Sequence, residues 1–267
     1  AAAAGQGVIL TSLIVDLVDE PGTVLFSSTS GAKPSDEQSS RLVKEGEANT
    51  PNKSASATNQ PAAQAGAGAL PGVTNIIAVG AGKGGVGKST VSVNLAVALA
   101  RKGHAVGVMD GDIYGPSLPT LLGLAAQEMV VRERLIEAFK QLTEQTNWGE
   151  LDYLIIDLPP GTGDVPLTMA QSLQLSGAVI VCTPQKVAQD DAVRAARMFQ
   201  QLGVDILGVV ENMSEFIGDD GKHYDIFGKG GAETMAQRLG LPYLGDIPIT
   251  MALRTNSDAG DPSANFE

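Results

Sequence analysis

The run Gly82-Lys83-Gly84-Gly85-Val86-Gly87-Lys88-Ser89-Thr90 constrains this chain more than any other stretch. It fits G-x-x-x-x-G-K-S/T, with an extra lysine directly after the first glycine. Ile76 to Val79 before it is a short β-branched run suited to a buried strand. Val91, Leu95, Ala98 and Leu99 after it recur at helical spacing until Gly103 stops the helix. Strand, glycine loop and helix together let successive main-chain N–H groups and the positive end of a helix converge on one anion. The pattern predicts that Gly82 to Thr90 cradle the phosphates of a nucleoside triphosphate. Lys88 then reaches the β- and γ-phosphates, and the Ser89 hydroxyl joins the shell of a Mg²⁺ ion. A glycine turn needed only for close packing leaves Lys88-Ser89 without a reason. A second reading takes Gly80-x-Gly82-x-x-Gly85 as a dinucleotide fingerprint, with Asp110 at the end of the next strand, Ala105 to Met109. That would make the chain a nicotinamide or flavin oxidoreductase, and it leaves Lys83 and Lys88 unused.

The other acids fall where such a site needs them. Ligands in open α/β sheets bind at the carboxyl ends of the strands, and Asp110-Gly111-Asp112 follows the second predicted strand. Tyr153-Leu154-Ile155-Ile156-Asp157 is an apolar strand ending in a carboxylate, the Walker-B pattern of a metal-linked acid. Leu158 to Asp164, punctuated by Pro159, Pro160, Gly161 and Gly163, makes a stiff loop suited to sensing a γ-phosphate. Aspartates also simply cap turns, but three of them, Asp110, Asp112 and Asp157, in register with a phosphate loop favour a functional site, with Ser89, Asp110 and Asp157 as the Mg²⁺ set. The implied fold is α/β, a mostly parallel sheet flanked by helices.

The Lys83 to Lys88 core resembles the deviant Walker A loop of the MinD/ParA/nitrogenase-iron-protein superfamily. Asp110 to Ser117, Trp148 to Tyr153, Asp157 to Asp164, Thr183-Pro184-Gln185, Glu211-Asn212-Met213-Ser214 and Tyr224 to Gly228 further resemble the Mrp/ApbC iron–sulfur cluster carriers. The likeness runs from about Leu70 to about Gly260 and implies a P-loop ATPase of that type, acting in iron–sulfur cluster assembly or transfer. By that resemblance Lys83 crosses a homodimer interface to the partner's nucleotide, in the manner of an arginine finger. Asp112 positions the attacking water, Asp157 is the metal-linked acid, and Asn212, following a strand Ile206 to Val210, reads adenine. The catalytic set is therefore Lys83, Lys88, Asp112 and Asp157, and the implied partners are apo iron–sulfur clients or scaffold proteins. A MinD/ParA-like positioning switch is the alternative within the same superfamily.

Two departures from the family pattern matter. Carriers of this kind place a C-x-x-C pair between the Asn-Met-Ser and Tyr-x-x-Phe-Gly segments, from which two subunits bind a 4Fe–4S cluster. Here Glu215 to His223 holds no cysteine, and Cys182, the one cysteine of the chain, lies in the apolar strand Ala178 to Cys182, where a buried inert thiol is expected. One thiol per subunit falls short of the four that such clusters take. Asp219, Asp220 and His223 remain as weak metal candidates. The second departure is between Gly123 and Val131, where relatives carry an extra strand.

A net charge of −12 argues against nucleic-acid binding, which needs clustered cations. No apolar run of about eighteen residues suggests a membrane span, and a single cysteine suits a reducing, cytoplasmic setting. Residues 1–27 faintly resemble a remnant of a small MIP18-like α/β domain, with two strands expected between Val8 and Phe26. Residues 28–69, rich in Ala, Ser, Gly, Gln, Asn and Pro, read as a flexible linker. The P-loop ATPase domain is expected over 70–267.

Overall fold

In the computed structural model, residues 17–18, 24–26, 68–112, 115–124, 139, 142–143, 146–218 and 220–266 are described. The expected linker lies outside these apart from residues 68 and 69. Of the expected small domain only two short strands are described, β1 (Leu17–Val18) and β2 (Val24–Phe26), paired antiparallel.

The main sheet is built from β3 (Val73–Gly80), β4 (Val106–Asp110), β5 (Leu151–Asp157), β6 (Gly177–Cys182), β7 (Ile206–Ile217) and β9 (Tyr243–Ile249). They are mutually parallel in the order β4-β5-β3-β6-β7-β9. A short β8 (His223–Tyr224) pairs antiparallel with the far end of β7. The helices are α1 (Lys88–Arg101), α2 (Leu118–Leu121), α3 (Asp164–Ser172), α4 (Lys186–Gln201), α5 (Gly231–Leu239) and α6 (Met251–Asp258), followed by a 3-10 turn, Pro262–Phe266. None of the described helices is long and apolar enough to cross a membrane.

The unbroken apolar runs of β5 and β6 follow from burial on both faces, the signature of a parallel sheet covered by helices. Alternate strand residues feed two cores. Ala78, Ile156 and Ile180 pack with Met169 of α3, Phe199 of α4 and Met235 of α5. Val79, Ile155 and Val181 turn the other way, toward Val91 and Ala96 of α1. Each large side chain so buried contributes about 1.5–3 kcal/mol. The central strand β3 has its neighbours β5 and β6 on opposite sides, so the chain leaves β3 at the point where the winding reverses. That crevice is where the glycine loop emerges.

One expectation needs correction. The strand expected over Ile206 to Val210 continues to Ile217, so Asn212 sits inside β7 rather than after it. The strand continues because β9 and then β8 pair with it, and it is bent at Met213, the one described non-glycine residue with a left-handed backbone (φ 57°). A side chain there costs about 1–3 kcal/mol, which the surrounding bonds must outweigh. Those bonds include Ser214 Oγ donating to Asp246 Oδ2 at 2.7 Å.

Candidate nucleotide site

The loop from Ala81 to Gly87 is shaped by two close approaches that only glycine allows. A Cβ on Gly82 would overlap the main chain of α4 at Asp191, so the loop presses against that helix. Gly87, at φ 80°, is the N-cap of α1, and a Cβ there would overlap the Asn212 amide. With glycine at the cap, no side chain satisfies the first N–H groups of α1. Helix starts left in this state bind anions through main-chain donors and the helix dipole.

Asp157, at the end of β5, is fully buried and is the centre of the site. Its Oδ2 lies 2.7 Å from Lys88 Nζ and accepts from Ser89 Oγ at 2.6 Å. Its Oδ1 accepts from Ser92 Oγ at 2.6 Å. The first turn of α1 thus wraps one buried carboxylate with an ammonium and two hydroxyls. Burying a charge is tolerated only when it is paired and hydrogen-bonded in this way. Ser92 was not foreseen from the sequence. Its position, one turn beyond Ser89 on the buried side of an amphipathic helix, is the signal that could have found it.

Asp110, expected at the metal, holds the loop that follows β4. Its Oδ1 accepts from the Asp112 N–H at 2.9 Å, and its Oδ2 accepts from Ser117 and Leu118 N–H at 2.9 and 3.0 Å. These three amides converge on the carboxylate, which ties its own loop together. Burial pushes the Asp110 pKa above its ordinary value, the nearby Asp157 charge adds to this, and the three amide bonds oppose it. Asp112, carried on that loop, is partly exposed. Leu158 and Gly161 N–H donate to Val79 and Ala81 C=O at 3.1 and 3.0 Å, so the segment after Asp157 is laced to β3 and the phosphate loop.

Asn212 reaches the same loop from β7, its Nδ2 donating to Val86 C=O at 2.8 Å. It also lines a 460 Å³ cavity running from Thr90 along α1 to Pro248 and Thr250. Ligand pockets typically fall between about 300 and 1,000 Å³. One residue before it, the buried Glu211 accepts from Gly230 N–H at 2.8 Å and Ala232 N–H at 2.7 Å, capping α5. Sequence reasoning assigned Glu211 no role.

The described members of the weak metal trio pair elsewhere. His223 Nδ1 is 2.9 Å from Glu215 Oε1 and Lys222 Nζ is 2.7 Å from Asp220 Oδ2, while Asp219 lies outside the described residues. No trio of His, Cys, Asp or Glu suited to a metal occurs among the described residues. Cys182 is buried, its Sγ donating to Thr183 C=O at 3.1 Å. Burial first, and the Glu211 charge second, push its pKa up to about 12 from the ordinary 9.0. Its neutral thiol therefore favours the fold fully below 9.0, and that contribution is lost as pH rises from 9.0 toward 12. Iodoacetamide at about pH 8 is expected to spare Cys182 in the folded chain and to label it in denaturant. Mass spectrometry checks this, and rapid labelling of the folded protein would contradict a buried thiol.

The sequence profile described as ParA, NUBPL iron-transfer P-loop NTPase, matches residues 72–138 and 127–267. This chain belongs to the ParA/NUBPL iron-transfer P-loop NTPase family. The two matched pieces overlap at the junction where the sequence already departs from the family pattern. Among its relatives is a protein of Synechocystis named iron-sulfur cluster carrier protein, 46% identical over 71% of this chain and 64% of its own length. A protein of the same name from Deinococcus radiodurans is 46% identical over 73% of this chain and 65% of its own. The chain thus spans less than two thirds of the length of these relatives. A nucleotide-binding protein from Archaeoglobus fulgidus, solved in complex with ADP, superposes with a TM-score of 0.65 at 39% identity, over 73% of this chain and 89% of that one. The ParA/NUBPL assignment accounts for the parallel sheet and for the glycine loop between β3 and α1.

Proposed function

We propose that this chain is an ATP-dependent protein of iron–sulfur cluster assembly or transfer. It binds and hydrolyses ATP with Mg²⁺ at the β3–α1 loop and works as a homodimer in a reducing, cytoplasmic setting. Its partners are apo iron–sulfur clients or a scaffold. The observation that carries the reading is the buried carboxylate of Asp157 held at 2.7 Å by Lys88 and at 2.6 Å by Ser89, beneath an uncapped helix start. The hard oxygen donors of Asp157 and Ser89 suit Mg²⁺. Ser89 would hold the metal directly and Asp157 directly or through water, and the ion would supply neutralising charge to the β- and γ-phosphates.

The chain's own residues account for the rest. The amides from Gly84 to Ser89 bind phosphate oxygens, and Lys88 adds a fixed charge at the β- and γ-positions. Asp112 orients the attacking water in line with the γ-phosphate, and the Lys83 of a second copy meets the charge that develops as the terminal P–O bond breaks.

The cargo reading draws support from the names of the relatives and from family membership. A chain with a single buried thiol does not fit cluster ligation by its own cysteines. The thiolates would come from the partner. Anaerobic reconstitution with iron and sulfide is therefore expected to leave the isolated protein without a stable cluster while its Mg²⁺-dependent ATPase persists. Cluster transfer to an apo acceptor should be accelerated by ATP only with a thiol-bearing scaffold present. A stoichiometric 4Fe–4S absorbance unchanged by Cys182→Ser would reveal other ligands, and ATP-independent transfer would remove the proposed role.

A further inference from the structure

The 460 Å³ cavity beside the phosphate loop has one wall that the motif does not include. Its floor and near side are Thr90, Asn94, Asn212, Ile247 and Pro248, and its far side is the 3-10 turn, through Ala264, Asn265 and Phe266. This turn is tied to α1 by a directed chain of side-chain amides. Asn256 Nδ2 donates to Asn265 Oδ1 at 3.0 Å, Asn265 Nδ2 to Asn94 Oδ1 at 2.9 Å, and Asn94 Nδ2 to Thr90 C=O at 2.8 Å. Each amide fixes the orientation of the next, and the chain ends on the main chain of Thr90, the last residue of the phosphate motif. Beside it, Arg101 Nη2 donates to Phe266 C=O at 3.3 Å and its guanidinium lies 5.6 Å from the Phe266 ring centroid. A cation over an aromatic face contributes about 0.5–1 kcal/mol at exposed sites.

We infer that the 3-10 turn Pro262–Phe266 forms the outer wall of the nucleoside pocket, and that Asn265 is a specificity-determining residue for the nucleoside half of the ligand. The argument is one of position and chemistry. A triphosphate seated on the N-terminus of α1 must send its sugar and base along α1, and the cavity opens there. Its lining combines apolar surface (Ile247, Pro248, Phe266) for a base face with convergent amides (Asn94, Asn212, Asn265) for base and ribose edges, the composition of small-ligand sites. Asn265 is partly exposed to this cavity while its own amide is held on both sides. It is therefore pre-oriented at little entropic cost on binding.

This inference rests on the triphosphate reading, and the test separates the two. Titration calorimetry on the full chain compares ATP with inorganic tripolyphosphate, both with Mg²⁺. Asn265→Ala and Phe266→Ala are expected to weaken ATP about tenfold, the worth of one lost hydrogen bond or contact, and to leave tripolyphosphate within about twofold. Thermal melts identify any variant that fails to fold, and two unrelated substitutions give the same signature only if the wall acts on the nucleoside. Equal weakening of both ligands, or of neither, overturns the wall. A wild-type chain that binds tripolyphosphate but gains nothing from adenosine overturns the wall while sparing the phosphate loop, and one that binds neither ligand overturns both.

Discussion

Lys88→Ala is expected to abolish ATP binding and also to destabilise the fold, because one side chain serves both. Its ammonium neutralises Asp157, which is wholly buried, at 2.7 Å. Removing it leaves a buried carboxylate with two hydroxyl donors and no counter-charge, a defect that typically costs about 3–5 kcal/mol. It also removes a charge-assisted contact to phosphate, so affinity should fall about a hundredfold or more. The two effects separate in the double variant Lys88→Ala/Asp157→Asn. Neutralising the stranded carboxylate should recover most of the lost melting temperature and none of the affinity. Calorimetric titration and thermal denaturation read the two quantities independently. If the double variant regains ATP affinity, Lys88 acts only as the partner of Asp157 and its phosphate role is lost.

The sequence made the phosphate loop legible because its chemistry is local. Glycines at Gly82 and Gly87, a lysine at Lys88 and a hydroxyl at Ser89 are contiguous, and the strand and helix around them carry their own periodicity. Asp157 was legible for a related reason, since an apolar strand that ends in an acid announces where that acid points. What failed depends on distance in the fold. That Asp110 ties its own loop together depends on three amides after β4 that no spacing rule reveals. Ser92 and Glu211 contact their partners only once α1 lies on β5 and α5 lies on β7. The end of β7 was misjudged because it is set by pairing with β8 and β9, and the bend at Met213 carries no turn residue to mark it. The pocket wall at Asn265 joins residues 171 positions apart in the chain, beyond the reach of any local pattern.

The two lysines of the loop differ in environment, and the largest expected change in rate follows from that difference. Lys88 is 7% exposed and paired, whereas Lys83 is partly exposed and forms no ion pair among the described residues. A loop lysine without an acid partner among the described residues can turn its charge toward one outside its chain. In the homodimer proposed above, that is the phosphate of the facing copy's nucleotide. Lys83→Ala should then keep ATP affinity close to wild type and reduce turnover by about 10³-fold or more, the range found for cations supplied in trans. The separation arises because a contact formed only as charge develops lowers the barrier without strengthening the ground state. Mixing supplies the decisive control. Lys83→Ala titrated into Lys88→Ala should restore part of the rate, since one mixed site pairs an intact Lys88 with an intact Lys83 from across the interface. Loss of affinity equal to that of Lys88→Ala, or a mixture no faster than its components, would return Lys83 to a role within its own chain.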